Sequence, residues 1–121
     1  MGFDAREFLQ RLRDTNPQIR EAFPDAYAAY LDFHEKALAP GKVDARTKAL
    51  VALGASIFAK CPYCIPYHVQ RALNMGITRD EMIEIGLVVA TVGGGASMTY
   101  VSQMLQAIAD LDGGNDEPEA L

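Results

Sequence analysis

From Ala49 to Ala59 the chain reads ALVALGASIFA, eleven residues without a charge, and from Ile85 to Ala109 it runs another twenty-five without one. Small and branched apolar residues fill both stretches, and a helix that is apolar on every face must be buried on every face. That demand is severe here. The chain has 121 residues, enough for one domain, and small domains cover little of their own surface. Association of several copies would supply the missing cover, so a homo-oligomer is expected. The second stretch is long enough to cross a bilayer. It is interrupted by Gly93-Gly94-Gly95, and its second half carries Ser97, Thr99, Ser102, Gln103 and Gln106, so a soluble pair of helices is the better reading.

Helix signals dominate the rest. Asp4 can cap a first segment, Ala5 to Asp14, with Phe8, Leu9 and Leu12 on one side. Asn16-Pro17 reads as a cap and first helical position, opening a separate short turn through Ala22. Tyr27, Tyr30, Leu31, His34 and Leu38 recur at three- and four-residue steps and predict a helix over 25–38, stopped by Ala39-Pro40-Gly41. Asp44 caps the next, over 45–60. Another is predicted from near Pro62 to Met75, with Gly76 as a left-handed stop. Thr78-Arg79-Asp80-Glu81 matches a capping box and opens a helix to about Val92. A last helix covers 96–111. No alternating strand pattern, long linker or internal repeat is present, so the fold class is all-α, a bundle of about six helices. One domain is expected over residues 1–111, followed by a flexible acidic tail over 112–121.

Charge narrows the partners. Lys and Arg total 11, Asp and Glu 16, for a net −5. Four of those acids lie in the tail, leaving the body near neutral and without the basic stripe that a phosphate backbone requires. The first residues, Met1-Gly2-Phe3-Asp4-Ala5-Arg6-Glu7, include acids and no apolar core, and Arg6 breaks the myristoylation pattern. A cytoplasmic protein, off the membrane, is expected.

The chemistry is concentrated in Cys61-Pro62-Tyr63-Cys64-Ile65-Pro66-Tyr67-His68. Two cysteines three apart, in a chain without a secretory signal, point to redox chemistry or metal binding rather than a disulfide framework. Cys64 and His68 are four apart and share a helix face. Pro66 is tolerated only in a first turn, which places both sulfurs at a helix N-terminus, where free N–H groups and the helix dipole stabilise a thiolate. An imidazole one turn away can take the thiol proton and return it to a leaving oxygen. Structural zinc wants four ligands, and the chain offers only Cys61, Cys64, His68 and His34 of the soft set, without a second zinc-type pair, so no metal ligand and no bound cofactor is assigned. Gly93-Gly94-Gly95-Ala96-Ser97 lacks the preceding strand and Lys-Ser/Thr ending of a phosphate loop and reads as close helix packing.

From about Leu38 to Gly94 the sequence resembles the AhpD-like, alkylhydroperoxidase branch of the carboxymuconolactone decarboxylase superfamily. The resemblance rests on Val43-Asp44-Ala45-Arg46-Thr47-Lys48 ahead of a small-residue apolar helix and on Cys61, Cys64 and His68. Ala72, Gly76-Ile77-Thr78 and Glu81-Met82 through Glu84 follow at the usual places. It implies an all-α fold assembled as a homotrimer or, for short single-copy members, a homohexamer. It also implies an antioxidant, peroxidase-type oxidoreductase that reduces hydroperoxides or disulfides. Cys64 would be the peroxide-attacking thiolate, His68 its proton partner and Cys61 the resolving thiol. The electrons would come from a dithiol donor, a lipoyl- or thioredoxin-like protein. Decarboxylase members do not share the cysteine pair, so lactone decarboxylation ranks last among the implied activities.

One departure stands out. Members with the full proton relay carry a Glu twelve residues before the first Cys, in a Lys-Glu-Leu run; here the run is Lys48-Ala49-Leu50. His34 or Glu35 could substitute from the preceding helix. Otherwise the site has weakened activity, only exchanges disulfides, or belongs to a non-catalytic oligomer that binds metal or thiols.

Overall fold

The computed structural model describes residues 4–112. Its elements are α1 (Ala5–Ala22), α2 (Pro24–Leu38), α3 (Ala45–Phe58), α4 (Cys64–Asn74) and α5 (Arg79–Leu111). Among the described residues there are no strands, and the all-α expectation holds. Of the acidic tail only Asp112, the cap residue that ends α5, lies within the described residues.

Local chemistry explains most of the helix starts. Asp4 accepts hydrogen bonds from the N–H groups of Arg6 and Glu7, Asp44 from that of Thr47, and Thr78 from that of Glu81. Glu81 reaches back to the Thr78 N–H at 2.9 Å and completes the capping box. Pro17 corrects the reading of α1. It does not open a new turn but sits inside a continuous helix. It removes one backbone N–H, yet it lies on the solvent side, where water can hydrate the carbonyl left without a donor.

The glycine run in α5 does break the helix, as its sequence predicts. Gly94 has φ 63° and ψ −149°, a conformation that essentially only glycine adopts. The two arms of α5 fold back on each other. A Cβ on Gly86 would come within 2.8 Å of Val101, fifteen residues on, a separation that would span about 22 Å along a straight helix. By length and composition α5 could cross a membrane, but the reversal at Gly94 leaves two arms of roughly half that length.

Leu53 and Ile57 of α3, Ile65 and Val69 of α4, and Met82, Met104, Ile108 and Leu111 of α5 form the core, with Ala5 and Leu9 of α1 closing one side. α2 is held more loosely: Tyr27 is its one buried residue, and Lys48 Nζ ties its end by donating to the carbonyls of Ala37 and Ala39. The expectation that α3 is buried all round fails within one chain. Ala49, Leu53 and Ile57 are buried, but Val51 is 64 % and Phe58 48 % exposed. These two residues line an apolar groove of about 500 Å³ with Val88 and Val92 of α5.

Candidate functional site

The cysteine loop grows out of the end of α3. That helix stops at Phe58, before the expected Lys60, in a Schellman-type closure. The Cys61 N–H donates to the Ser56 carbonyl at 3.2 Å and the Lys60 N–H to the Ile57 carbonyl at 3.0 Å. Lys60 takes the left-handed position, φ 55°, that Gly76 fills at the equivalent end of α4. A lysine there is strained relative to glycine, and the strain sits one residue before Cys61. The next helix starts at Cys64, not at Pro62, because Cys61 to Tyr63 form a turn in which the N–H groups of Cys64 and Ile65 both donate to the Cys61 carbonyl at 3.2 Å.

Cys61 and Cys64 are joined as a disulfide, with Cα atoms 5.3 Å apart. The Cys64 N–H also points at Cys61 Sγ, 3.1 Å away. Both sulfurs thus sit at the N-terminus of α4, where free N–H groups and the helix dipole favour a thiolate once the bond is reduced. Cys64, the first residue of the helix, is the more exposed of the two. Phe8 of α1 packs on Tyr63 with ring centroids 5.1 Å apart and braces the turn from outside.

His68 lies one turn beyond Cys64 on the same face of α4, with its ring edge-on to Tyr67 at 5.1 Å. Its Nδ1 is buried and has no hydrogen-bond partner among the described residues. Burial, reinforced by the Arg71 guanidinium and by His34, pulls its pKa down to about 4, so the imidazole is neutral at pH 7. Neither proposed substitute for the missing acid reaches it. His34 packs against Tyr67 at 5.7 Å, and its pKa is lowered by burial and Arg71, so it too is held neutral. Glu35 lines a neighbouring cavity without a hydrogen bond to His68. Ala49 is 1 % exposed and part of the core, so the place of the family's carboxylate is apolar.

The cavity of about 420 Å³ between α2 and α4 is lined by His34, Glu35, Tyr67 and Arg71 beside Leu31 and Leu38. Arg71 did not emerge from the sequence. The available signal was spacing: it lies three residues past His68 and seven past Cys64, hence on one helix face with both. Among the described residues no three of His, Cys, Asp and Glu converge in a way that could hold a metal ion.

Fold and site together define a small helical protein with a Cys-x-x-Cys disulfide at a helix N-terminus and a half-buried histidine behind it. The chain belongs to the carboxymuconolactone decarboxylase family, whose pattern matches residues 24–107. A protein of the cox locus of Paracoccus denitrificans, itself uncharacterised, is 32 % identical over 85 residues, which is 70 % of this chain and 77 % of that one. An uncharacterised protein of Cupriavidus necator is 29 % identical over 98 residues, 78 % of this chain and 87 % of that one. Among solved structures, a carboxymuconolactone decarboxylase family protein of Legionella pneumophila superposes with a TM-score of 0.83 at 24 % identity, covering 88 % of this chain and 95 % of that one. A family member from Thermotoga maritima gives 0.76 at 25 % identity, covering 87 % and 89 %.

Proposed function

We propose that the protein is a thiol-dependent hydroperoxide and disulfide reductase of the AhpD-like branch, with Cys64, Cys61 and His68 as its reacting set. The observation that carries this reading is the Cys61–Cys64 bond closed across the first turn of α4, with His68 one turn behind it. In the reduced enzyme the Cys64 thiolate attacks the outer oxygen of ROOH. The O–O bond breaks, Cys64 becomes the sulfenic acid, and the leaving alkoxide takes up a proton to give ROH. Cys61 then attacks the Cys64 sulfur, expelling water and closing the disulfide. A dithiol donor reopens it by exchange and leaves oxidised. The neutral His68 accepts the Cys64 proton and returns it to the alkoxide. With a pKa near 4 and no orienting carboxylate it is a weak base for that task, so turnover is modest and thiol–disulfide exchange, which asks less of a base, is the faster half-reaction. An antioxidative role has been suggested for the Thermotoga maritima relative, in keeping with this chemistry.

Peroxide consumption with dihydrolipoamide as donor tests the reading. Cys64→Ser and Cys61→Ser should each lose at least about a hundredfold, the scale on which a covalent nucleophile or its partner contributes. Variants that match the wild type would defeat it.

A second reading, a non-catalytic oligomer that binds metal or a partner's thiol through the pair, draws on the apolar Ala49 position and the unpartnered His68 Nδ1. Elemental analysis of protein purified without chelator separates the two: stoichiometric zinc favours binding, and a metal-free protein with a readily reduced disulfide favours catalysis. On either reading the proposed cover for the α3–α5 groove is a second copy of the chain. The groove lining carries no charge, and an equally charge-free face from another subunit matches it. Light scattering should therefore give a homotrimer or homohexamer, and a charge at Val92, 78 % exposed, should dissociate it.

A further inference from the structure

Arg71, one turn beyond His68 on α4, borders the cavity between α2 and α4. Nη1 of Arg71 is shut off from solvent and has no hydrogen-bond acceptor among the described residues. Arg71 is half-buried, a guanidinium nitrogen closed off without an acceptor is costly, and arginine is the residue best shaped to hold a carboxylate through two parallel bonds. Around it stand the rings of His34 and Tyr67 and the apolar side chains of Leu31 and Leu38. Glu35 opens onto the same cavity but makes no ion pair with Arg71. The cavity therefore offers one cationic anchor, greasy walls and a single acid that tempers the anchor.

We propose that this cavity is an acid pocket for the peroxide substrate. Arg71 binds the carboxylate of an amphipathic organic acid, whose apolar body lies against Leu31 and Leu38 and whose hydroperoxide reaches Cys64. This rests on the peroxidase reading above. The helix supplies a ruler: seven residues separate Cys64 from Arg71 along α4, a rise of about 10 Å. Carboxylate and hydroperoxide must therefore be separated by about 10 Å of extended chain, as the carboxyl and the mid-chain hydroperoxide are in a fatty-acid hydroperoxide. Short hydroperoxides can be reduced at Cys64 but leave the pocket empty.

The test compares linoleic acid hydroperoxide with its methyl ester, using the full chain and a dithiol donor. The wild type should favour the acid at least tenfold in kcat/KM, chiefly through KM, and Arg71→Gln should bring the acid-to-ester ratio to near one. Arg71 also helps keep His68 neutral, so absolute rates move with the substitution and the ratio is the readout. Arg71→Lys should retain part of the preference, and Glu35→Gln should enlarge it. Equal use of acid and ester by the wild type, or an unchanged ratio in Arg71→Gln, overturns the pocket. If no peroxide is turned over, the peroxidase reading fails by itself, and the pocket is then judged by calorimetric binding of decanoate against decanol. Binding of decanoate at least tenfold tighter than decanol, abolished in Arg71→Gln, upholds it; no such difference refutes it.

Discussion

Two groups of titratable side chains in this molecule are treated in opposite ways. At the surface, Arg46 at the start of α3 meets Glu81 at the start of α5 at 2.5 Å, and Glu81 is held further by the Thr78 N–H. That pairing takes the Glu81 pKa down to about 2, the Arg46 hydrogen bond being the largest cause. Half-buried behind α2, His34, His68 and Arg71 gather with no carboxylate bonded to any of them among the described residues. The first group has found its partners and serves only to join two helix starts, a role that exposed ion pairs fill weakly. The second keeps one cation and two neutral imidazoles behind the disulfide. An arrangement that leaves half-buried bases unprotonated and a guanidinium nitrogen without an acceptor makes sense when the missing acid and anion arrive from elsewhere, as substrate or proton donor.

The strongest way to break this contrast is to furnish the interior group with its own acid. Ala49→Glu should raise the His68 pKa from about 4 toward its ordinary value and increase peroxide turnover by about tenfold or more, within the range that general acid–base catalysis supplies. Histidine titration by NMR and kcat on a short hydroperoxide check it. A folded variant with an unmoved pKa would show that position 49 does not address His68.

Acid stability sharpens the contrast next. His68 has a lower pKa folded than unfolded, so between about pH 6.5 and 4 the unfolded chain binds the extra proton. Stability is thus fully present above about 6.5 and falls as pH drops through that window, by up to about 3 kcal/mol from this group. Urea titrations across the window should show the loss, and His68→Phe should flatten it; an equally steep variant would assign the loss to another group. Glu81 acts in a separate, lower window. Its stabilisation is present above about pH 4.5 and disappears toward pH 2.

The smallest effect belongs to the surface pair. Arg46→Ala should lower stability slightly, less so at high salt, and leave peroxide kinetics within twofold. A large kinetic change would mean that the α3 start, through Ala45 beside the cavity, helps set the site.

Much of this was legible one residue at a time. Asp4, Asp44 and Thr78 cap the helices they were expected to cap, Gly76 ends α4 and Gly94 breaks α5, because caps and left-handed stops depend on near neighbours in the chain. Pro17 misled, since whether a proline breaks a helix depends on whether the freed carbonyl faces water, which is a tertiary matter. The start of α4 shifted for a related reason: Lys60 accepted a left-handed conformation with no glycine to announce it. Arg71 escaped because nothing in its neighbourhood of sequence shows that α2 comes to lie across it.

What the sequence determined by itself was periodic and local: helices, their caps, the fold class, and the placement of Cys61, Cys64 and His68 around one helix start. Those follow from backbone geometry, which repeats every few residues. Which faces are covered, which histidine loses its proton, and which arginine is left without an anion were decided only when α2, α3 and α5 closed around α4. Desolvation and charge proximity are properties of that packing and have no period in the chain.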